Sequence, residues 1–443
     1  MENKPMTVRA PALRRASLYL AIALLVPSTA QAVRIDYELG LSALHSDNIG
    51  LSESNRVSDT VLSPQLRFAA EQNGSTLQLS LDGDLQYPIY LDNTFSSELQ
   101  GELAGRANWT LLPERIDFEV TNNLSRQSVN ALENYTPSNQ QQVNLFTAGP
   151  TFRARFSDAT RGQLDLRYIN TYAEESSEFQ GNRYSAAGRI ERLLRRTDRL
   201  SLNLEAMQTD YDEIGALYDY RRYDAYVTYE SELASLDITV DAGYSRIEPD
   251  NYDRSSSSPL FRGNIGWRIA PRTTLSAGFD YEFSDAAQNL IWRQGQSDLP
   301  GPIIEDPTAP GLPINAQTFR QRRLLLGYRY GGERLTVQVN PYYERIRYLD
   351  FSIENQDVEG VNAFADYRLS SATTLSIGAV RQKRDFNDIS RDDTTTVANL
   401  ALTRQISRQW SSRVYFQRTE RDSSSPNQSY KENSVMLMVA YRR

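Results

Sequence analysis

The sequence predicts an all-β chain: a transmembrane, up-and-down antiparallel β-barrel of about 20 strands (range 16–20), with short periplasmic turns and long extracellular loops. Three observations predict it. Apolar and polar residues alternate with period two in segment after segment, the connections alternate between tight and long, and the segments run near ten residues, about what a tilted crossing of a bilayer requires.

Residues 1–32 come first and read as a signal peptide. Lys4, Arg9, Arg14 and Arg15 precede the apolar run ASLYLAIALLV, and Ala30-Gln31-Ala32 supplies a small-residue cleavage site. The run is too short to cross about 30 Å of hydrocarbon as a helix. The barrel is therefore expected over 33–443, as an integral component of a Gram-negative cell outer membrane. With the leader's net charge of +3 removed from the chain's −8, that part carries −11, which argues against nucleic acid as a partner. The mean hydropathy of −0.56 resembles a soluble protein's, yet a barrel gives the same value because only alternate residues meet lipid. There is no cysteine, so neither disulfides nor metal-thiolate chemistry operate.

The first strand is VRIDYELGLSAL (33–44), with Val33, Ile35, Tyr37 and Leu39 on one face and Arg34, Asp36 and Glu38 on the other. VLSPQLRFAAE (61–71), carrying Arg67, turns at Asn73-Gly74 into STLQLSLDGDLQYPIY (75–90). There Leu77, Leu79, Leu81 and Leu85 oppose Gln78, Asp82, Asp84 and Gln86. ELQGELAGRANWTL brings Glu102 and Arg106, and IDFEVTNNLS brings Asp117 and Glu119. FTAGPTFRARF holds Arg153 and Arg155, GQLDLRYINTY holds Asp165 and Arg167, and RYSAAGRIERL holds Arg189. LDITVDAGYSRI adds Asp237 and Asp241, and similar segments continue to SVMLMVAY. Tight connections such as LPER, SDATR and APRT alternate with long polar ones, the longest being the Pro-rich extracellular loop at 285–318.

A closed sheet of about 20 strands has a lumen too wide for side chains to fill, so the apolar faces must meet lipid and the polar faces water. The charged residues just named are thus the lumen-lining candidates. Tyrosines near segment ends (Tyr90, Tyr172, Tyr211, Tyr244 and Tyr348) are expected to form interfacial girdles, with ordinary β-propensity as the alternative reading. In the 285–318 loop, Leu290, Ile291, Trp292, Ile303 and Ile304 are too apolar to sit idle in water. They are the candidates for a constriction folded over or into the lumen, the alternative being a disordered surface loop.

No catalytic site, metal site or cofactor is expected. His45 is the only histidine; it is read as part of the first long loop, beside Ser46 and Asp47, and consecutive residues on an extended chain cannot form a relay. Asp47-Asn48 and the acidic runs Asp392-Asp393 and Glu420-Arg421-Asp422 read as solvated loop residues rather than calcium ligands. Of 48 basic residues only Lys4, Lys383 and Lys431 are lysine. Arginine and carboxylate rows with tyrosine can hydrogen-bond and stack on sugars, or can simply pair with each other and hold water.

SDNIGL (46–51), VSDTVLSPQLRF (57–68), LDGDLQYPIYLDN (81–93) and ANWTLLPERIDFEVTNNLSRQSV (107–129) resemble outer-membrane β-barrel porins associated with exopolysaccharide biosynthesis and export. The resemblance implies a non-enzymatic conduit with polysaccharide as cargo and periplasmic polysaccharide-export components as partners. Outer-membrane lipid, lipopolysaccharide and the barrel assembly machinery are the surroundings a barrel implies. Two alternatives stay open: a general diffusion porin for small hydrophilic solutes, and a non-transporting surface barrel that adheres through its loops.

Overall fold

Period-two alternation becomes strand after strand in the computed structural model, which describes residues 33–251, 254–295, 313–350 and 352–443, with backbone alone at 213–214 and 292–295. The strands are β1 (Arg34–Ser46), β2 (Asp59–Asn73), β3 (Leu77–Gln86), β4 (Ile89–Tyr90), β5 (Gln100–Leu112), β6 (Ile116–Ser128) and β7 (Gln140–Arg155). Then come β8 (Thr160–Ala173), β9 (Gly181–Leu193), β10 (Asp198–Tyr211), β11 (Tyr220–Glu232), β12 (Leu236–Pro249), β13 (Ser256–Ala270) and β14 (Thr273–Ser284). A helix, α1 (Ala286–Gly295), precedes β15 (Phe319–Gly331), β16 (Leu335–Tyr348), β17 (Gln356–Ser370), β18 (Thr373–Phe386), β19 (Arg391–Gln405), β20 (Trp410–Ser423) and β21 (Tyr430–Arg442).

Each strand pairs antiparallel with its neighbours in sequence. β4 continues β3 along the same partner, β2, after a break where Pro88 offers no N–H, so the wall has 20 strand positions. It closes where β1 meets β21, from Glu38 opposite Arg442 to Ser46 opposite Ser434. Arg443 and Tyr37 exchange two further backbone hydrogen bonds of 2.9 and 3.2 Å. Closure leaves no unpaired sheet edge among the described residues, as hydrocarbon demands.

The two faces are chemically opposite. On β10, Leu202 and Leu204 are 51% and 58% exposed on the outer surface, while Ser201 and Asn203 between them are buried inside. Buried apolar clusters lie inside the barrel at its long-loop end, for example Ile49, Val61 and Tyr90, or Phe319, Ile346 and Tyr348.

Three expectations need correction. Tyr90, Tyr211 and Tyr348 are buried within these inward clusters, because loops fold over the strand ends; Tyr244 does meet the outside, at 55% exposure. The acidic runs are on strands, Asp392 and Asp393 in β19 and Glu420 to Asp422 in β20, and His45 is in β1. Except for β4 the strands run from 10 to 16 residues, longer than a crossing needs, so they carry polar residues beyond the hydrocarbon.

Candidate functional site: the inward polar face

Residues directly opposite each other in neighbouring strands share a face. The register runs Glu38 to Arg67, Arg67 to Asp84, Asp84 to Glu102, and Thr110 to Asp117. It continues from Asp117 through Thr151 to Asp165, from Gln163 to Arg189, and from Thr228 to Asp241. By alternation Arg34, Asp36, Asp82, Arg106, Glu119, Arg153, Arg155, Arg167 and Asp237 fall on this same face, opposite the exposed apolar band.

On β1 to β8 these residues pair in short relays. Arg67 reaches Asp84 at 2.8 Å and Glu38 at 3.7 Å, and Arg34 reaches Asp36 at 2.8 Å. Arg106 holds Glu119 at 2.7 Å, and Arg167 links Glu119 (3.4 Å) to Asp165 (3.0 Å). Arg153 pairs with Asp117, and Arg155 with Asp158 at 2.6 Å. Pro150 interrupts the β7–β8 ladder. Arg167 occupies the gap by donating to the Pro150 carbonyl at 2.9 Å, and Gly149 lies so close that a Cβ would sit 1.9 Å from the Leu166 carbonyl oxygen. Farther round, Arg189 donates to Asn203 at 2.8 Å, Asp237 pairs with Arg268 at 2.7 Å, and Asp241 lies 3.6 Å from Arg262. Asp82 and Glu102 face solvent.

Toward the long-loop end of β9 to β14 the inward face is buried, and sequence reasoning missed its main residues. Arg183 on β9 and Asp285, just after β14, form a buried pair at 2.6 Å, joined by the Tyr220 hydroxyl on Asp285 and by Tyr211 accepting from Arg183 at 3.1 Å. Asp285 also caps α1: its Oδ1 accepts from Gln288 N–H at 3.0 Å. Burial opposes its ionisation, but the Arg183 guanidinium and the hydrogen bonds from Tyr220, Arg183 and Gln288 prevail and hold Asp285 below the usual carboxylate range. Arg222 on β11 binds Asp224 at 2.9 Å, Gln288 at 2.7 Å and the Phe283 carbonyl at 2.8 Å. The signals were present: Asp285-Ala-Ala-Gln288 has capping-box spacing, and Arg222 and Asp224 share the polar phase of one segment.

This network seats α1 against the inner wall. Ala286, Ala287 and Leu290 pack on Val143, Leu145 and Ile169, inward residues of β7 and β8. Ile291 lines a cavity of about 180 Å³ with Met207, Glu205 and Arg222. The Trp292 side chain, Ile303 and Ile304 lie outside the described residues. In the loops, burial and the Glu178 charge push Glu354 up to about 7, opposed by the Asn315 amide, which donates to it at 3.1 Å.

A closed wall of antiparallel strands, apolar outside and polar inside, is the architecture of an outer-membrane β-barrel. The comparisons agree with that class. Residues 356–443 match the family model described as "Putative beta-barrel porin 2". No curated protein sequence matches the chain. Among solved structures, a double mutant of the ferric enterobactin receptor from Pseudomonas aeruginosa is similar at TM-score 0.50 and 10% identity, over 93% of this chain and 81% of that one. A structure titled "Copper transporter OprC" is similar at TM-score 0.50 and 13% identity, over 94% of this chain and 81% of that one. At such identities the likeness is one of fold.

Proposed function

We propose that the barrel is a non-enzymatic conduit for export of an exopolysaccharide across the outer membrane, working with periplasmic polysaccharide-export components. The observation that carries this reading is the inward face of β1 to β8. It presents repeated, half-exposed arginine–carboxylate relays, among them Arg67–Asp84, Arg106–Glu119 and Arg153–Asp117, rather than one deep site. A moving polymer must be held weakly at many points, since tight binding at one would stall it, and each net hydrogen bond is worth roughly 0.5 to 1.5 kcal/mol. In this reading α1, seated on the wall through Leu290 with Ile291 beside it, narrows the passage. A variant lacking 290–314 then conducts well above the parent in single-channel recordings; unchanged conductance removes the constriction.

The export reading is tested by deletion of the gene. Surface polysaccharide disappears while uptake of small hydrophilic compounds stays nearly unchanged. The second reading, a general diffusion porin, is favoured by the porin description of the family model matching 356–443. Normal polysaccharide with slowed solute uptake in the deletion strain makes it the better account.

A further inference from the structure

One arginine of the inward face stands apart from the relays. Arg413, on β20, has neither an ion pair nor a side-chain hydrogen bond among the described residues, and its shielded Nε is without a partner. Its guanidinium lies 5.9 Å from the centre of the Tyr415 ring. The charges in its range are Arg67, which repels it and is already paired with Asp84 at 2.8 Å and Glu38 at 3.7 Å, and Asp366, which accepts from the Ser376 hydroxyl at 2.5 Å. A half-buried guanidinium with no carboxylate of its own is costly, and an anion arriving from outside offsets that cost.

Arg413 opens onto a chamber of about 330 Å³ between β1–β5 and β20–β21, within the size range of small-ligand sites. Besides Arg413 the chamber is lined by charges of both signs, Arg67, Asp84, Glu102, Arg126 and Glu432, of which Arg67 and Asp84 belong to the relays. Tyr415 offers a ring face and Met436 and Met438 offer soft apolar contact, while the Gln65 amide is engaged by Asp84 and that of Gln417 by Tyr415 and Thr419. A planar guanidinium beside an aromatic ring and thioethers, in a chamber otherwise lined by polar side chains, suits a ring-shaped ligand that has hydroxyls, apolar C–H faces and one carboxylate. The carboxylate can engage the guanidinium through two parallel N–H···O bonds.

We infer that this chamber is a binding subsite for an acidic sugar residue, with Arg413 holding its carboxylate and Tyr415 its ring. The inference rests on the conduit reading and names its cargo as a uronic-acid-containing polymer.

The test uses the full barrel in detergent, titrated calorimetrically with trigalacturonate, with maltotriose as the neutral trisaccharide and with inorganic phosphate. Trigalacturonate binds at least tenfold more tightly than the other two, Arg413→Gln removes that preference, and Arg195→Gln, at the exposed turn between β9 and β10, keeps it. Heat-modifiable gel migration checks that each variant is folded. Should Arg413→Gln not fold, blockade of single-channel current by trigalacturonate but not maltotriose in the parent replaces it. Equal binding of maltotriose, or phosphate binding as tight as trigalacturonate, overturns the acidic-sugar assignment. Absence of all binding overturns it too, and the conduit reading then still stands if the deletion strain lacks surface polysaccharide. Selective binding alongside normal polysaccharide in that strain supports the subsite and removes the conduit.

Discussion

The wall from β1 to β8 and the wall from β9 to β16 carry the same kinds of residue on the same inward phase, yet they are different materials. In the Arg106–Glu119 pair the side chains are 68% and 23% exposed; in the Arg183–Asp285 pair they are 2% and 0% exposed. The difference comes from what covers them. α1 and the loop residues around Ile314 and Ala316 lie over β7 and β8 and over the second wall at the long-loop end and exclude water there, while the pairs from β1 to β6 stay open. An ion pair in water contributes little, whereas a buried one whose partner is removed leaves an uncompensated charge. One wall is suited to transient contacts and the other to holding a segment in place.

The sharpest way to break this comparison is to remove one carboxylate from each wall. Asp285→Ala strands Arg183, uncaps α1 and removes the Tyr220 contact, and is expected to cost about 3 to 5 kcal/mol. Glu119→Ala leaves Arg106 in contact with water and Arg167 still paired with Asp165, and is expected to cost about 1 kcal/mol or less. Denaturant titration in lipid vesicles checks both, and equal costs would mean that the walls are equally wet. Next in size, Leu79→Arg places a charge in lipid at about 2 to 4 kcal/mol near the midplane, while Gln78→Arg on the same strand places one in the lumen. Equal effects would invert the assignment of the faces.

The smallest effect concerns pH at the loop cover. Glu354, pushed up to about 7 from an ordinary 4.5, keeps its proton in the folded cover at pH values where the unfolded chain has lost it. Its contribution is most favourable below about 4.5, declines as pH rises through the folded value, and is lost above it. Amide exchange around residues 352–355 should therefore quicken between pH 5 and pH 8 beyond its intrinsic rise, and Glu354→Gln should remove the excess.

The alternation in RIDYELGLSAL or LSLNLEAMQ made the strands, their faces and the closed fold legible, because a lipid-facing barrel obeys one local rule along its whole length. Where long-range packing decides, that rule falls silent. Tyr211 and Tyr348 looked like girdle residues by position but are buried beneath loops, and Asp285 looked like a loop residue but is a helix cap paired across the lumen with Arg183. Nothing in the local pattern around RYSAAGRIERL separates Arg183, enclosed by α1's cap, from Arg189, which donates to Asn203. Only the placement of a segment about 100 residues later separates them.

The contrast between the walls can be read directly because the chain has no cysteine of its own. Single substitutions Asp82→Cys and Arg106→Cys on the open wall, and Thr228→Cys and Ser245→Cys on the covered wall, are compared for their rate of reaction with a membrane-impermeant thiol reagent in folded, vesicle-embedded protein. The account predicts rapid labelling at 82 and 106 and strong protection at 228 and 245. Uniformly rapid labelling of all four would contradict it.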